Sequence, residues 1–153
     1  MRYILLDRIT SLVPPERATG IKCVSLAEDI FVDHFPGVPV MPGVLLLESM
    51  AQLGGTLLEA GLRQRGRPEL GALLTMIDRA KFRRAARPGD RVEIEARTIL
   101  LREDGGIVDG RALVEGKLVA QAELAFAFVP VASEKLAASR REYLNILLRG
   151  SAD

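Results

Sequence analysis

The residues best suited to chemistry in this chain are its only histidine, His34, and the carboxylate Glu48. His34 stands in a proline-rich segment, and Glu48 stands in a stretch that is otherwise almost entirely apolar. Gln52 follows Glu48 at the i+4 position of a helix, and Thr56 and Glu59 roughly continue the same stripe. General acid–base catalysis needs a base that titrates near neutrality and a carboxylic acid whose apolar surroundings keep it protonated. The two residues therefore predict acid–base chemistry beside an apolar cavity.

Less specific interpretations exist for each feature. A lone histidine in a loop is often structural or merely exposed, and the prolines around it could simply terminate a strand. Glu48 could lie on a solvated helix edge, which Gln52 and Glu59 would then mark. The two candidate residues nevertheless lie within one stretch of 15 residues, and this closeness in sequence favours the acid–base interpretation.

A stiff connector and a buried helix would position these residues. The segment from Asp33 to Pro42 holds three prolines and predicts an irregular, extended connector. A helix is predicted from Gly43 to about Arg63, with Pro42 at a first helical position and Gly66 and Pro68 after its end. Its leucines cover nearly every side of the cylinder, which is typical of a core helix.

The remaining elements are predicted to be strands and one further helix. The predicted strands are Tyr3–Ser11, Gly20–Leu26, Leu70–Phe82, a strand around 92–97, Ile107–Glu115 and Leu118–Val129, joined by turns at 14–17, 87–90, 104–106 and 116–117. An apolar helix cannot stand exposed, so an antiparallel sheet must wrap around it in an α+β fold. The tail predicts an amphipathic helix capped by Ser133 and stopped at Gly150, with an apolar stripe formed by Leu136, Tyr143, Leu144, Leu147 and Leu148. That helix is expected to serve packing rather than chemistry.

Composition excludes several functional classes. The chain carries 21 Lys and Arg against 20 Asp and Glu, spread without a basic patch, which argues against nucleic-acid binding. One cysteine and one histidine cannot supply a four-ligand zinc site or an internal disulfide, and a lone cysteine suits the cytoplasm. The most apolar stretch, 38–62, contains two prolines and two glutamates, so no membrane span is expected. The apolar run within residues 1–10 is too short for a signal peptide, so none is expected.

The sequence from His34 to Gln52, HFPGVPVMPGVLLLESMAQ, closely resembles the signature of the 3-hydroxyacyl-[acyl-carrier-protein] dehydratases, the FabZ/FabA family of hotdog folds. Weaker matches lie at 5–8, 81–84, 87–90 and 116–124. The resemblance implies a hotdog domain over residues 1–130, an antiparallel sheet wrapped around one long central helix. Residues 131–153 would form a C-terminal helical extension packed on that domain. The glycine that usually precedes the family histidine is Asp33 here, which is a departure from the family pattern.

The resemblance also implies a reaction and a role for each site residue. A (3R)-3-hydroxyacyl thioester would lose water to give a trans-2-enoyl thioester, in fatty-acid or specialised lipid or polyketide synthesis, with no cofactor and no metal. His34 would remove the C2 proton, and Glu48 would act on the C3 hydroxyl; a glutamate there points to the branch without isomerase activity. The Gly43 N–H would polarise the thioester carbonyl, the Val40 carbonyl would hold His34, and Gln52 would hold Glu48. In relatives the histidine and the acid of one site come from different subunits, so a homodimer or a trimer of dimers is expected.

The expected partner is an acyl carrier protein that presents the acyl chain on phosphopantetheine. Such carriers are acidic, so Lys81, Arg83, Arg84 and Arg87 are docking candidates, although ordinary solvated charge explains them equally well. Two rival functions are also compatible with the sequence. One is a hotdog thioesterase; the other is a non-catalytic subunit that binds acyl carriers within a heteromeric dehydratase.

Overall fold

The computed structural model describes residues 3–149, which form six strands and two α-helices. The strands are β1 (Arg8–Val13), β2 (Arg17–Cys23), β3 (Leu70–Phe82), β4 (Arg91–Leu101), β5 (Gly105–Val114) and β6 (Lys117–Pro130). The helices are α1 (Gly43–Gln64) and α2 (Glu134–Leu148), and a short 3₁₀-helix spans Asp29–Val32. The predicted β3 strand and the predicted central helix are confirmed to within one residue.

All strand pairs are antiparallel, in the order β1-β2-β4-β5-β6-β3, and the sheet wraps around α1, which contacts every strand. β4 shows why the sheet has one buried face: Val92, Ile94 and Ala96 are buried while the residues between them are exposed. Leu53 and Leu57 of α1 are inaccessible to solvent and pack against this face. The expected sheet around a central helix is thus confirmed.

The predicted first strand was wrong at its start. Leu5 and Leu6 are both buried although they are consecutive, a pattern that a strand with alternating faces cannot produce. The Leu5 N–H binds the side chain of Gln52 on α1 instead of a neighbouring strand. Strand β1 therefore begins only at Arg8.

Other boundaries also differ from the predictions. β2 begins at Arg17 and ends at Cys23, because the Val24 backbone pairs with the turn at Gly89 and Asp90 instead. Gly105 and Gly106, predicted as a turn, are paired residues of β5 opposite β6. Pro42 is the N-cap of α1 rather than its first helical residue.

Helix α2 packs on the domain through its C-terminal half. Ser133 caps it as predicted, because its side chain accepts the Leu136 N–H at 3.2 Å. Leu147 is buried and Tyr143, Leu144 and Leu148 are half-buried against the core, but Leu136 is exposed because it lies in the first turn, before the helix reaches the core. The predicted stop at Gly150 lies outside the described residues. No helix within residues 3–149 is long and apolar enough to cross a membrane.

Candidate active site

The connector between the 3₁₀-helix and α1 holds His34 in one orientation. The His34 ring nitrogen Nδ1 lies 2.8 Å from the Val40 carbonyl oxygen, and the Val40 N–H donates to the His34 carbonyl at 3.1 Å. A carbonyl oxygen can only accept, so Nδ1 carries the proton of this hydrogen bond. In the neutral ring, Nε2 is then left with a lone pair that can take a proton.

His34 opens onto a cavity of about 300 Å³ at the start of α1, whose lining includes Met41, Gly43, Leu46 and Phe82. Gly43 is the first residue of α1, and no side chain caps this helix end. Its N–H is among those that a helix cannot satisfy internally, and the helix dipole favours negative charge there. A Cβ atom at Gly43 would lie only 2.6 Å from the Phe82 ring, so a glycine lets this ring close the cavity.

Glu48 lies in the second turn of α1 and is half-buried. The Gln52 Nε2 donates to Glu48 Oε1 at 3.0 Å, and the Gln52 Oε1 accepts the Leu5 N–H at the same distance. Gln52 is therefore fixed at both ends of its amide and orients the carboxylate.

The N-terminal segment supplies a second partner for Glu48. The pKa of the Tyr3 phenol is raised, chiefly by the negative charge of the Glu48 carboxylate. Burial of the phenol and the hydrogen bond that it donates to Glu48 raise it further. The Tyr3 carbonyl also accepts a hydrogen bond of 3.3 Å from Gln52. Tyr3 was not among the residues expected at the site, since nothing in its local sequence points across 45 residues to α1.

Glu48 opens onto a different cavity, again of about 300 Å³, which follows the polar stripe of α1. Thr56 and Glu59 continue that stripe, and Leu74 of β3 and Phe126 of β6 form the apolar side. Glu48 is thus neither enclosed by apolar side chains nor on a freely solvated edge. No described residue lines both this cavity and the His34 cavity. Among the described residues, no three His, Cys, Asp or Glu side chains are placed to hold a metal ion.

Comparison with known proteins identifies the family of the chain. The model of the FabA-like domain family matches residues 1–123. This range includes the residues of both cavities that lie on the connector, on α1 and on β3. The chain belongs to the FabA-like family. The resemblance predicted from the segment His34–Gln52 is thereby confirmed.

Two curated relatives make the family assignment more specific. The 3-hydroxyacyl-[acyl-carrier-protein] dehydratase FabZ of Syntrophotalea carbinolica is 41% identical over 128 residues, which cover 84% of this chain and 86% of the relative. The protein of the same name from Campylobacter jejuni is 43% identical over 123 residues, covering 80% of this chain and 84% of the relative.

Solved structures of similar fold include dehydratases and thioesterases of the hotdog class. The dehydratase heterocomplex ApeI:P from Xenorhabdus doucetiae superposes with a TM-score of 0.65 and 19% identity, covering 90% of each chain. The mutant thioesterase PA1618 from Pseudomonas aeruginosa gives 0.61 and 20% identity, covering 81% of each chain. At such identities the likeness shows the hotdog fold alone, so the choice between the two activities rests on the family and on the site.

The basic residues predicted as docking candidates lie near the His34 cavity. Lys81, Arg83, Arg84 and Arg87 are all exposed, and Arg84 lines that cavity. None of the four forms an ion pair with another residue in the range 3–149. Asp33, the departure from the family pattern, is also exposed, beyond the end of the 3₁₀-helix.

Proposed function

We propose that this protein is a hydro-lyase that dehydrates (3R)-3-hydroxyacyl thioesters to trans-2-enoyl thioesters. The observation that carries the proposal is the pair of oriented groups on a FabA-like domain: a histidine with a free Nε2, and a carboxyl held by Gln52. Relatives at 41–43% identity over most of the chain bear the name of a 3-hydroxyacyl-[acyl-carrier-protein] dehydratase. The family therefore favours dehydration over thioester hydrolysis, which only structures of low identity suggest.

In the proposed reaction, His34 Nε2 removes a proton from C2 of the acyl group. Negative charge then develops on the thioester oxygen, and the Gly43 N–H stabilises it at the start of α1. The C3–O bond breaks while the Glu48 carboxylic acid gives its proton to the leaving hydroxyl, which departs as water. The electron pair of the former C2–H bond becomes the new C2=C3 double bond, and return of the His34 proton to Glu48 restores the enzyme.

We infer that one site takes His34 from one protomer and Glu48 from its partner. Within a protomer the two residues open onto separate cavities, which supports a site shared between copies of the chain. Strand β3 is at one end of the sheet order, so one of its backbone edges meets no other described strand. Its side chains Leu73 and Met76 are 55% exposed, and Val44 and Phe82 near His34 are also exposed, as interface residues would be in an isolated protomer. The assembly would be a homodimer or a trimer of dimers.

We further propose an acyl carrier protein as the donor of the acyl chain and the cytoplasm as the place of action. The uncompensated charges of Lys81, Arg83, Arg84 and Arg87 beside the His34 cavity suit an acidic carrier with a phosphopantetheine arm. The single cysteine, Cys23, suits a reducing compartment.

The reverse reaction gives a direct test of the proposed function. Purified protein should hydrate a crotonyl thioester, with loss of the enoyl absorbance and without release of free thiol. Both His34→Ala and Glu48→Gln should lower the rate by about 10²–10⁴-fold, because each removes one positioned acid or base. Release of free thiol would identify a thioesterase, and an inactive wild type that regains activity only with a second hotdog subunit would favour the non-catalytic alternative.

A further inference from the structure

The family model ends at residue 123, whereas α2 spans Glu134–Leu148. This helix is therefore outside the part of the chain that defines the family. It nevertheless forms one wall of the Glu48 cavity, through Arg140, Tyr143, Leu144 and Leu147. If Glu48 acts on the substrate, the wall made by α2 must face part of the acyl group.

Two contacts fix α2 in this position. The Tyr143 hydroxyl donates to the Leu6 carbonyl at 3.4 Å, and Arg140 forms an ion pair of 2.9 Å with Glu59 of α1. The Glu59 side chain is only 12% exposed, and its Oε1 also accepts the Ala72 N–H of β3 at 2.9 Å. Gly71 makes room for this ion pair, because a Cβ atom there would lie 2.7 Å from Arg140 Nη1.

The cavity thus has a reactive end and a charged end. Glu48 and Glu59 are separated by about 16 Å along the axis of α1, at the rise per residue of an α-helix. Leu144 and Leu147 of α2 line the cavity together with Leu74 and Phe126, so it has an apolar side opposite the polar stripe of α1. An alkyl chain is favoured along this apolar side, but one that reaches the Glu59–Arg140 pair would displace water from two charges.

We propose that α2 is the element that sets acyl-chain specificity in this protein. Leu144 limits the width of the cavity, and the Glu59–Arg140 ion pair limits the length of unsubstituted acyl chain that it accepts. The inference rests on the proposed dehydratase function and adds to it the substrate class, acyl chains that end before the ion pair.

The test compares kcat/KM for a short and a long 3-hydroxyacyl pantetheine in the full chain and its variants. Leu144→Trp should lower the long-to-short ratio by about tenfold or more, since even a one-methylene mismatch in an apolar pocket changes kcat/KM by about 10–200-fold. Leu144→Ala and the double variant Glu59→Gln/Arg140→Met should raise the ratio. Ile146→Trp is the matched control, because Ile146 is on the same helix but 52% exposed, and it should leave the ratio unchanged.

Dissociation constants of saturated acyl-pantetheines, measured on the same variants, separate the two proposals. A wild type that binds these ligands with the predicted length dependence but does not turn over contradicts the dehydratase function and leaves the role of α2 supported. A wild type that turns over, with the same length preference in Leu144→Trp, Leu144→Ala and Ile146→Trp, overturns the role of α2 alone. The Leu144→Ala variant keeps the test decisive if the larger tryptophan prevents folding.

Discussion

Within one protomer, His34 and Glu48 open onto two cavities that have no described lining residue in common. Each of the two is nevertheless oriented by its own hydrogen bond, His34 to the Val40 carbonyl and Glu48 to the Gln52 amide. Two prepared half-sites in one chain are expected when a complete site forms only between two chains. This relationship connects the fold to the proposed mechanism.

The first prediction concerns the contact between Gly43 and Phe82. Gly43→Ala should lower kcat strongly and also lower the stability of the protein, because the new methyl group would overlap the Phe82 ring. Phe82→Ala in the same chain should restore much of both losses by removing the ring. Gly37→Ala is not a suitable comparison, since Gly37 has a positive φ of 77°. Leu26→Ala, at an exposed position that lines neither cavity, is the better control. Equal activity of Gly43→Ala and Leu26→Ala would contradict a requirement for close approach at Gly43.

The second prediction concerns the Tyr3 phenol, whose pKa the Glu48 carboxylate raises. In a Tyr143→Phe background only Tyr3 can give tyrosinate absorbance, and its midpoint should lie above the ordinary phenol value of about 10. Glu48→Gln should lower that midpoint, whereas Glu59→Gln should not.

A raised pKa of the Tyr3 phenol means that the folded state keeps the phenol proton to a higher pH than the unfolded state does. The stabilisation from this contact is therefore present below the ordinary phenol pKa and is lost as pH rises through the folded-state value. An unchanged midpoint in Glu48→Gln would show that the two side chains do not interact.

The third prediction concerns the basic residues beside the His34 cavity. Arg83→Glu/Arg87→Glu should lower kcat/KM for a carrier-bound substrate. The gap in kcat/KM between this variant and the wild type should narrow as salt is added. The same variant should keep nearly normal kcat/KM with a pantetheine substrate, which lacks the acidic carrier surface. Arg102→Glu/Lys135→Glu makes the same change in net charge at two exposed positions outside this cavity and serves as the control. Equal losses on both substrates would contradict a docking role.

Much of the fold could be predicted because its signals are local. The alternation in β4 and the leucine-rich run of α1 fix the type of each element, and the central helix was predicted to within one residue of its observed end. The start of β1 could not be predicted, because Leu5 leaves the sheet to bind Gln52, a contact between residues far apart in sequence. The sequence pattern around Leu5 contains no information about Gln52 as its partner.

The candidate site was predictable in part for the same reason. His34, Gly43 and Glu48 lie in one continuous segment whose resemblance to a family identifies them together. Tyr3 and α2 reach Glu48 and its cavity only through tertiary packing. The stripe formed by Tyr143, Leu144 and Leu147 did predict a packed helix, but amphipathic spacing does not specify which surface the helix covers.

The most direct test of the central claim is complementation between two inactive variants. His34→Ala and Glu48→Gln, each inactive alone, are refolded together, and the dimer that contains one copy of each is isolated by two different affinity tags. If each site takes His34 from one protomer and Glu48 from the other, this mixed dimer has one intact site and should show about half of the wild-type hydration rate per dimer. A mixed dimer as inactive as its parents would contradict the shared site and would require both residues to act within one chain.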